Sequence, residues 1–137
     1  MKRVLIDTNV VVDIFLDRPG HSSTAAQILQ ALQTRRIVGC ISASMVTDLY
    51  FIIGRHINED YAREVVESVY ATFRILTVDR RLIREALDAP MSDFEDAVQA
   101  VTALKIGVTA VVTRDKKGFL DSCLQIYSPE EFVRALE

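Results

Sequence analysis

The chain reads as an α/β protein with a central parallel sheet of about five strands, covered by helices on both faces. Two observations lead there. Short β-branched runs alternate with longer stretches of helical periodicity, the pattern of consecutive β–α–β units. The chain has 137 residues, half of them hydrophobic and 26% charged. That suits one globular domain with a real core, residues 1–137, since the commonest domain size is about 100–150 residues.

Strands are predicted at Arg3–Ile6, Val38–Ile41, Arg74–Thr77, Ala110–Thr113 and Gln125–Tyr127. The first helix covers about Val10–Leu16 and ends in the turn signal DRPG; a second covers Ser22–Gln33. A third begins near Ser42, and the glycine of IIGRHIN is expected to stop it before Asn58 caps a fourth over Glu59–Thr72. That fourth helix carries Tyr61, Val65, Val69 and Phe73 on one stripe. A fifth spans Arg80–Leu87, with Asp79 as its cap and Pro90 as its stop. The last two start at Ser92 with Glu95 and at Ser128 with Glu131, both fitting the capping box, and Pro129 falls at the first helical position.

A net charge of −3 and a pI near 5.4 mean that any contact with nucleic acid must come from local basic clusters. Cys40 and Cys123 stand in apolar settings without metal-ligand spacing and read as buried free thiols. The opening MKRVLID has only a short apolar run before an acid, so neither a signal peptide nor a membrane span is expected, and the location expected is the cytoplasm.

Four aspartates stand at the exits of apolar segments: Asp7, Asp48, Asp96 and Asp115. Taking an ionised carboxylate out of water costs several kcal/mol unless it is paired, and facing carboxylates also repel. If the four converge, a divalent cation is the natural offset. Asp7 and Asp115 follow the first and fourth strands, at the carboxyl edge where open α/β sheets bind ligands. Alone, Asp7 is equally an N-cap and Asp115 a turn residue. Asn9 reads as a cap or as a hydrogen-bond partner of Asp7. Thr113 is placed to bond a metal-bound water, and Arg114, Lys116 and Lys117 to meet a phosphate backbone, although such runs are more commonly solvated. Asp96 shares a helix face with Ala100 and Ala103 and is expected to point at a buried edge. Glu95 is accounted for by the capping box, and Asp93 by the attraction of a helix N-terminus for anions, about 0.3–1 kcal/mol. MVTDLYFII is apolar nearly all round, so Asp48 is expected on a buried helix without a local basic partner. Asp13 and Asp17 read as solvated, and neither His21 nor His56 has a motif that marks a general base.

VLIDTN, the acid-bearing helix of the second quarter, DFEDAVQA and VVTRDKKGF follow one another over essentially the whole chain. Together they resemble PIN-domain ribonucleases, including the toxins of VapBC-type toxin–antitoxin pairs. The resemblance implies a three-layer α/β/α sandwich and a Mg²⁺- or Mn²⁺-dependent endonuclease acting on RNA. It implies catalytic roles for Asp7, Asp48, Asp96 and Asp115, metal ligation by Asp7, Asp96 and Asp115 with Asp93 as an extra, and substrate contacts from Asn9, Thr113, Arg114 and Lys116. The helical acid of that family is most often glutamate, and the shorter Asp48 is expected to reach a metal through water. A toxin further implies an antitoxin partner and a homodimer, with no membrane association. An all-oxygen donor set suits Mg²⁺ better than zinc. Neutralising Asp7 or Asp115 is expected to remove activity and, by relieving repulsion, to stabilise the metal-free chain. The second reading is a PIN-like domain without activity that serves as a binding module. A haloacid-dehalogenase-like reading fails because Asn9 stands where its second aspartate is needed. A response-receiver reading would use Asp79 but lacks the paired acid at Asp7.

Overall fold

The computed structural model describes residues 2–137. The chain runs β1 (Lys2–Ile6), α1 (Thr8–Leu16), α2 (Ser22–Gln33), β2 (Ile37–Ser42), α3 (Ala43–His56), α4 (Glu59–Thr72), β3 (Arg74–Leu76), α5 (Arg80–Asp88), α6 (Phe94–Lys105), β4 (Ala110–Val112), a 3₁₀ turn (Lys116–Phe119), β5 (Gln125–Tyr127) and α7 (Pro129–Ala135). All strand pairings are parallel, in the order β3-β2-β1-β4-β5. The chain builds outward from β1 through β2 to β3, then returns to the other side of β1 for β4 and β5. The reversal between β1 and β4 opens a crevice beyond their carboxyl ends.

Strand alternation divides the core. Val4 and Ile6 of β1, Ile37 and Ile41 of β2, and Ala110 and Val112 of β4 face one layer, which takes residues from α1, α2, α3, α4 and α7. Leu5, Cys40 and Val111 face the other, beneath Ala100 and Ala103 of α6 and Phe119 of the 3₁₀ turn. Helix α5 lies on α6 through Ala86, Ala97 and Val98. This is the three-layer α/β/α arrangement expected. Small alanines on α6 let its backbone come close to the sheet, which is what brings its first turn to the crevice.

Several local expectations hold. Asn58, Asp79 and Ser128 accept from Tyr61 N, Leu82 N and Glu131 N, and Ser128 with Glu131 completes a capping box behind Pro129. On α4, Val65, Val69 and Phe73 are buried, while the half-buried Tyr61 donates its hydroxyl to the Phe15 carbonyl at 2.7 Å.

Others are corrected. Gly54 does not stop α3, which continues to His56. It faces Ala62 of α4, where a Cβ would make an ordinary contact at 3.9 Å. The cap of α6 is Asp93, not Ser92: the helix starts one residue later than expected, at Phe94, and the Asp93 carboxylate accepts from Asp96 N at 2.9 Å. Helix α3 is one-sided, not apolar all round: it buries Met45, Leu49 and Ile53 and leaves Thr47, Asp48 and Phe51 in water. Cys40 is a buried free thiol, but Cys123 is exposed, carried outward by a left-handed turn with φ 67°. Among the described residues, no helix is long and apolar enough to cross a membrane.

Candidate metal centre at the sheet edge

Asp7 leaves β1 directly into the crevice and doubles as the N-cap of α1. Its carboxylate is only 6% exposed, yet it is well provided with donors. Oδ1 accepts from Thr8 N at 2.8 Å and from Gln99 Nε2 at 3.0 Å, and Oδ2 accepts from the Thr113 hydroxyl at 2.7 Å. Thr113, fully buried at the end of β4, also accepts from Asp115 N at 2.9 Å. One hydroxyl thus fixes both the first acid and the backbone of the last. Its proton and one of its two lone pairs are committed to positioning these two acids.

Asp96 and Asp115 come together over Gly118. A Cβ built at Gly118 would collide with Asp96 Oδ2 and stand 3.2 Å from Asp115 Oδ2. The glycine is therefore a space requirement of the two carboxylates. Asp96, half-buried on the first turn of α6, has its carboxyl group pushed up to about 7. Burial is the main cause, followed by the negative charges of Asp7, Asp93, Asp115 and Glu95. The pocket thus carries more negative charge than water compensates, the electrostatic condition that favours a bound cation.

The remaining predicted positions separate. Asp93 is exposed, and its Oδ1 accepts from Asp96 N at 2.9 Å, which leaves Oδ2 as its less committed oxygen. Asp48 is exposed on α3 and is not among the acids whose charge raises Asp96. Asn9 does not bond Asp7; its Oδ1 accepts from Arg114 N at 3.3 Å and ties the start of α1 to the β4 loop. The Arg114 guanidinium is held as a fork by Asp13, with Nε to Oδ2 at 2.7 Å and an Nη to Oδ1 at 3.2 Å. Asp13 is therefore not solvated but 3% exposed, and Arg18 Nε stands 3.9 Å from the same Oδ1. Lys116 is bonded to Glu131 at 2.8 Å, and this contact, ahead of the capping hydrogen bonds, lowers the Glu131 carboxyl to about 2. Arg114 and Lys116 are thus committed to holding the loop. Lys117, exposed beside Asp115, makes no ion pair among the described residues.

Sequence reasoning missed Gln99, Gly118 and Asp13. Gln99 carried a signal: it lies three residues after Asp96, on the helix that the alanines press onto the sheet. Asp13 and Gly118 carried none without their distant neighbours.

An all-carboxylate set of this kind fits a hard divalent cation. Among the described residues, no group of three or more acids, histidines or cysteines stands close enough together to hold a metal ion by side chains alone. Mg²⁺ does not require one, because it keeps several waters and takes one or two carboxylates.

A parallel α/β/α fold with carboxylates gathered at its switch point defines the class. Residues 3–117 match the family model of the PIN domain, and the chain belongs to that family. It is similar to Ribonuclease VapC1 of Aquifex aeolicus, with 25% identity over 136 residues, 96% of this chain and 93% of the relative. Its fold is similar to that in VapBC2 of Rickettsia felis bound to a promoter DNA fragment, with TM-score 0.71, 13% identity, and 92% and 98% of the two chains covered. It is also similar to that in DNA-bound VapBC of Salmonella typhimurium, with TM-score 0.69, 17% identity, and coverage of 94% and 99%.

Proposed function

We propose that this PIN-domain protein is a Mg²⁺- or Mn²⁺-dependent endoribonuclease and the toxin of a toxin–antitoxin pair, working in the cytoplasm. The observation that carries the enzymatic reading is the convergence of Asp96 and Asp115 over Gly118, with Asp96 raised to about 7 and Asp7 held next to them by three donors. The ribonuclease relative and the VapBC neighbours support RNA as substrate and an antitoxin as partner.

In this reading Asp7, Asp96 and Asp115 hold the cation, with Asp93 available at the rim and Asp48 contributing through water. When bound, such a cation would supply an activated water and charge neutralisation at the scissile phosphate. The chain's own part is to present carboxylate oxygens without rearrangement: Thr113 and Gln99 hold Asp7, and Asn9, Asp13 and Arg114 hold the loop of Asp115. Lys117, not Lys116, is the basic side chain of this run that is free for the RNA backbone.

The test is cleavage of a structured RNA by the purified chain at millimolar Mn²⁺, with EDTA and Asp115→Asn as controls. Asp115 is exposed, so its replacement leaves the core intact. Cleavage is expected to stop with EDTA and to fall at least a hundredfold in the variant. An intact RNA with the wild-type protein, or wild-type rates in the variant, refutes the assignment and favours a binding module.

A further inference from the structure

We infer that Gln99 is a positioning residue of the cation site, one that locks Asp7 so that a single acceptor position on Oδ2 stays open. The inference rests on the cation reading above.

A carboxylate has about four acceptor positions. In Asp7, Thr8 N and Gln99 Nε2 take those of Oδ1, and Thr113 takes one of Oδ2. With Asp7 only 6% exposed, what remains is one position on Oδ2. Two of the three donors are weakly specific to this purpose: Thr8 N is the backbone group of the very next residue, and the Thr113 hydroxyl also serves Asp115. The Gln99 amide is different. It is 5% exposed, in a stretch of α6 whose other buried members are mostly Ala97, Val98, Ala100 and Ala103. Its orientation is fixed by chemistry, because an ionised carboxylate only accepts, so the amide nitrogen must face Asp7.

That orientation leaves Gln99 Oε1 buried with no hydrogen-bond partner among the described residues. A buried acceptor without a donor is a cost, and an apolar side chain of the same length would avoid it. For packing alone, methionine would serve better at this position. The glutamine is therefore explained by what its nitrogen does: it stops Asp7 from rotating and sets which oxygen is offered to a cation. Groups that orient a metal ligand typically alter affinity about 10–100-fold when removed.

The experiment is calorimetric titration of the full chain with Mn²⁺ alone, in wild type, Gln99→Met and Gln99→Leu, beside thermal midpoints in EDTA. The expected result is Mn²⁺ binding weakened about tenfold or more in both variants, with metal-free midpoints close to that of the wild type, because the donor lost to Asp7 is offset by removal of the orphaned Oε1 acceptor. A residue with a merely structural role would give the reverse, lower midpoints with unchanged affinity, and that result overturns the inference. Loss of folded near-UV signal in both variants, or a wild type that binds no Mn²⁺, overturns it equally. RNA plays no part in the titration. A wild type that binds Mn²⁺ but leaves RNA intact therefore sinks the nuclease assignment alone, whereas RNA cleavage together with wild-type Mn²⁺ affinity in Gln99→Met sinks the Gln99 inference alone.

Discussion

Replacing Asp96 by asparagine should make the metal-free protein more stable above neutral pH while disabling it. The Asp96 carboxyl stands at about 7 in the folded protein instead of 3.8, first because it is buried and then because Asp7, Asp93, Asp115 and Glu95 repel its charge. Between these two values the folded state holds a proton that the unfolded state has lost, so stability falls as pH rises through the window and the full loss is present above about 7. Water screens a half-buried group, which brings the cost to roughly 1–2 kcal/mol. Asparagine keeps the shape and removes the charge. Urea unfolding in EDTA at pH 8 should therefore show Asp96→Asn more stable by roughly 1–2 kcal/mol, and at pH 5 the advantage should shrink to roughly a third of that. Millimolar Mn²⁺ at pH 8 should reverse the ranking, since the wild type gains stability from a ligand that binds only its folded state. A gain of equal size at both pH values, or a loss at pH 8, would refute the account of charge repulsion. Asp7→Asn is the useful contrast. Thr8, Gln99 and Thr113 all donate to that carboxylate. An amide NH₂ in its place must confront one of these donors, at about 1–3 kcal/mol. For Asp7 the repulsion argument made from sequence is thus outweighed by hydrogen bonding.

Two further predictions address the supports of the site. Gly118→Ala puts a methyl group against Asp96 Oδ2 and near Asp115 Oδ2, so the carboxylates must part; Mn²⁺ affinity and RNA cleavage should each fall about tenfold or more while the thermal midpoint moves little, and unchanged Mn²⁺ titration would remove Gly118 from the site. Arg114→Met leaves the buried Asp13 with only Arg18 at 3.9 Å. Breaking such a partly exposed pair should cost about 2–3 kcal/mol in urea unfolding, and a loss under 0.5 kcal/mol would show that Arg114 serves the surface and not the fold.

The arrangement of strands and helices was legible because it is written locally. β-branched runs, the caps Asn58, Asp79 and Ser128, and the helical stripe of α4 are each decided by residues within a turn or two of one another. The same locality made Asp7, Asp96 and Asp115 readable as acids leaving apolar segments. Where a local signal had a nearby competitor the reading slipped: Asp93 took the cap from Ser92, and Gly54 proved to lie inside α3 and not at its end.

What the sequence determined by itself is therefore the class of fold and the acids at the ends of its elements, since both follow from periodicity and chain order. Only the tertiary structure decided how those acids are held. Gln99 reaches Asp7 across 92 positions, Thr113 across 106, and Arg114 reaches Asp13 across 101. The energy of such contacts depends on which strands lie side by side. The parallel order that sets β4 against β1 turns a buried glutamine, an aspartate that looked solvated and a loop glycine into the supports of one site.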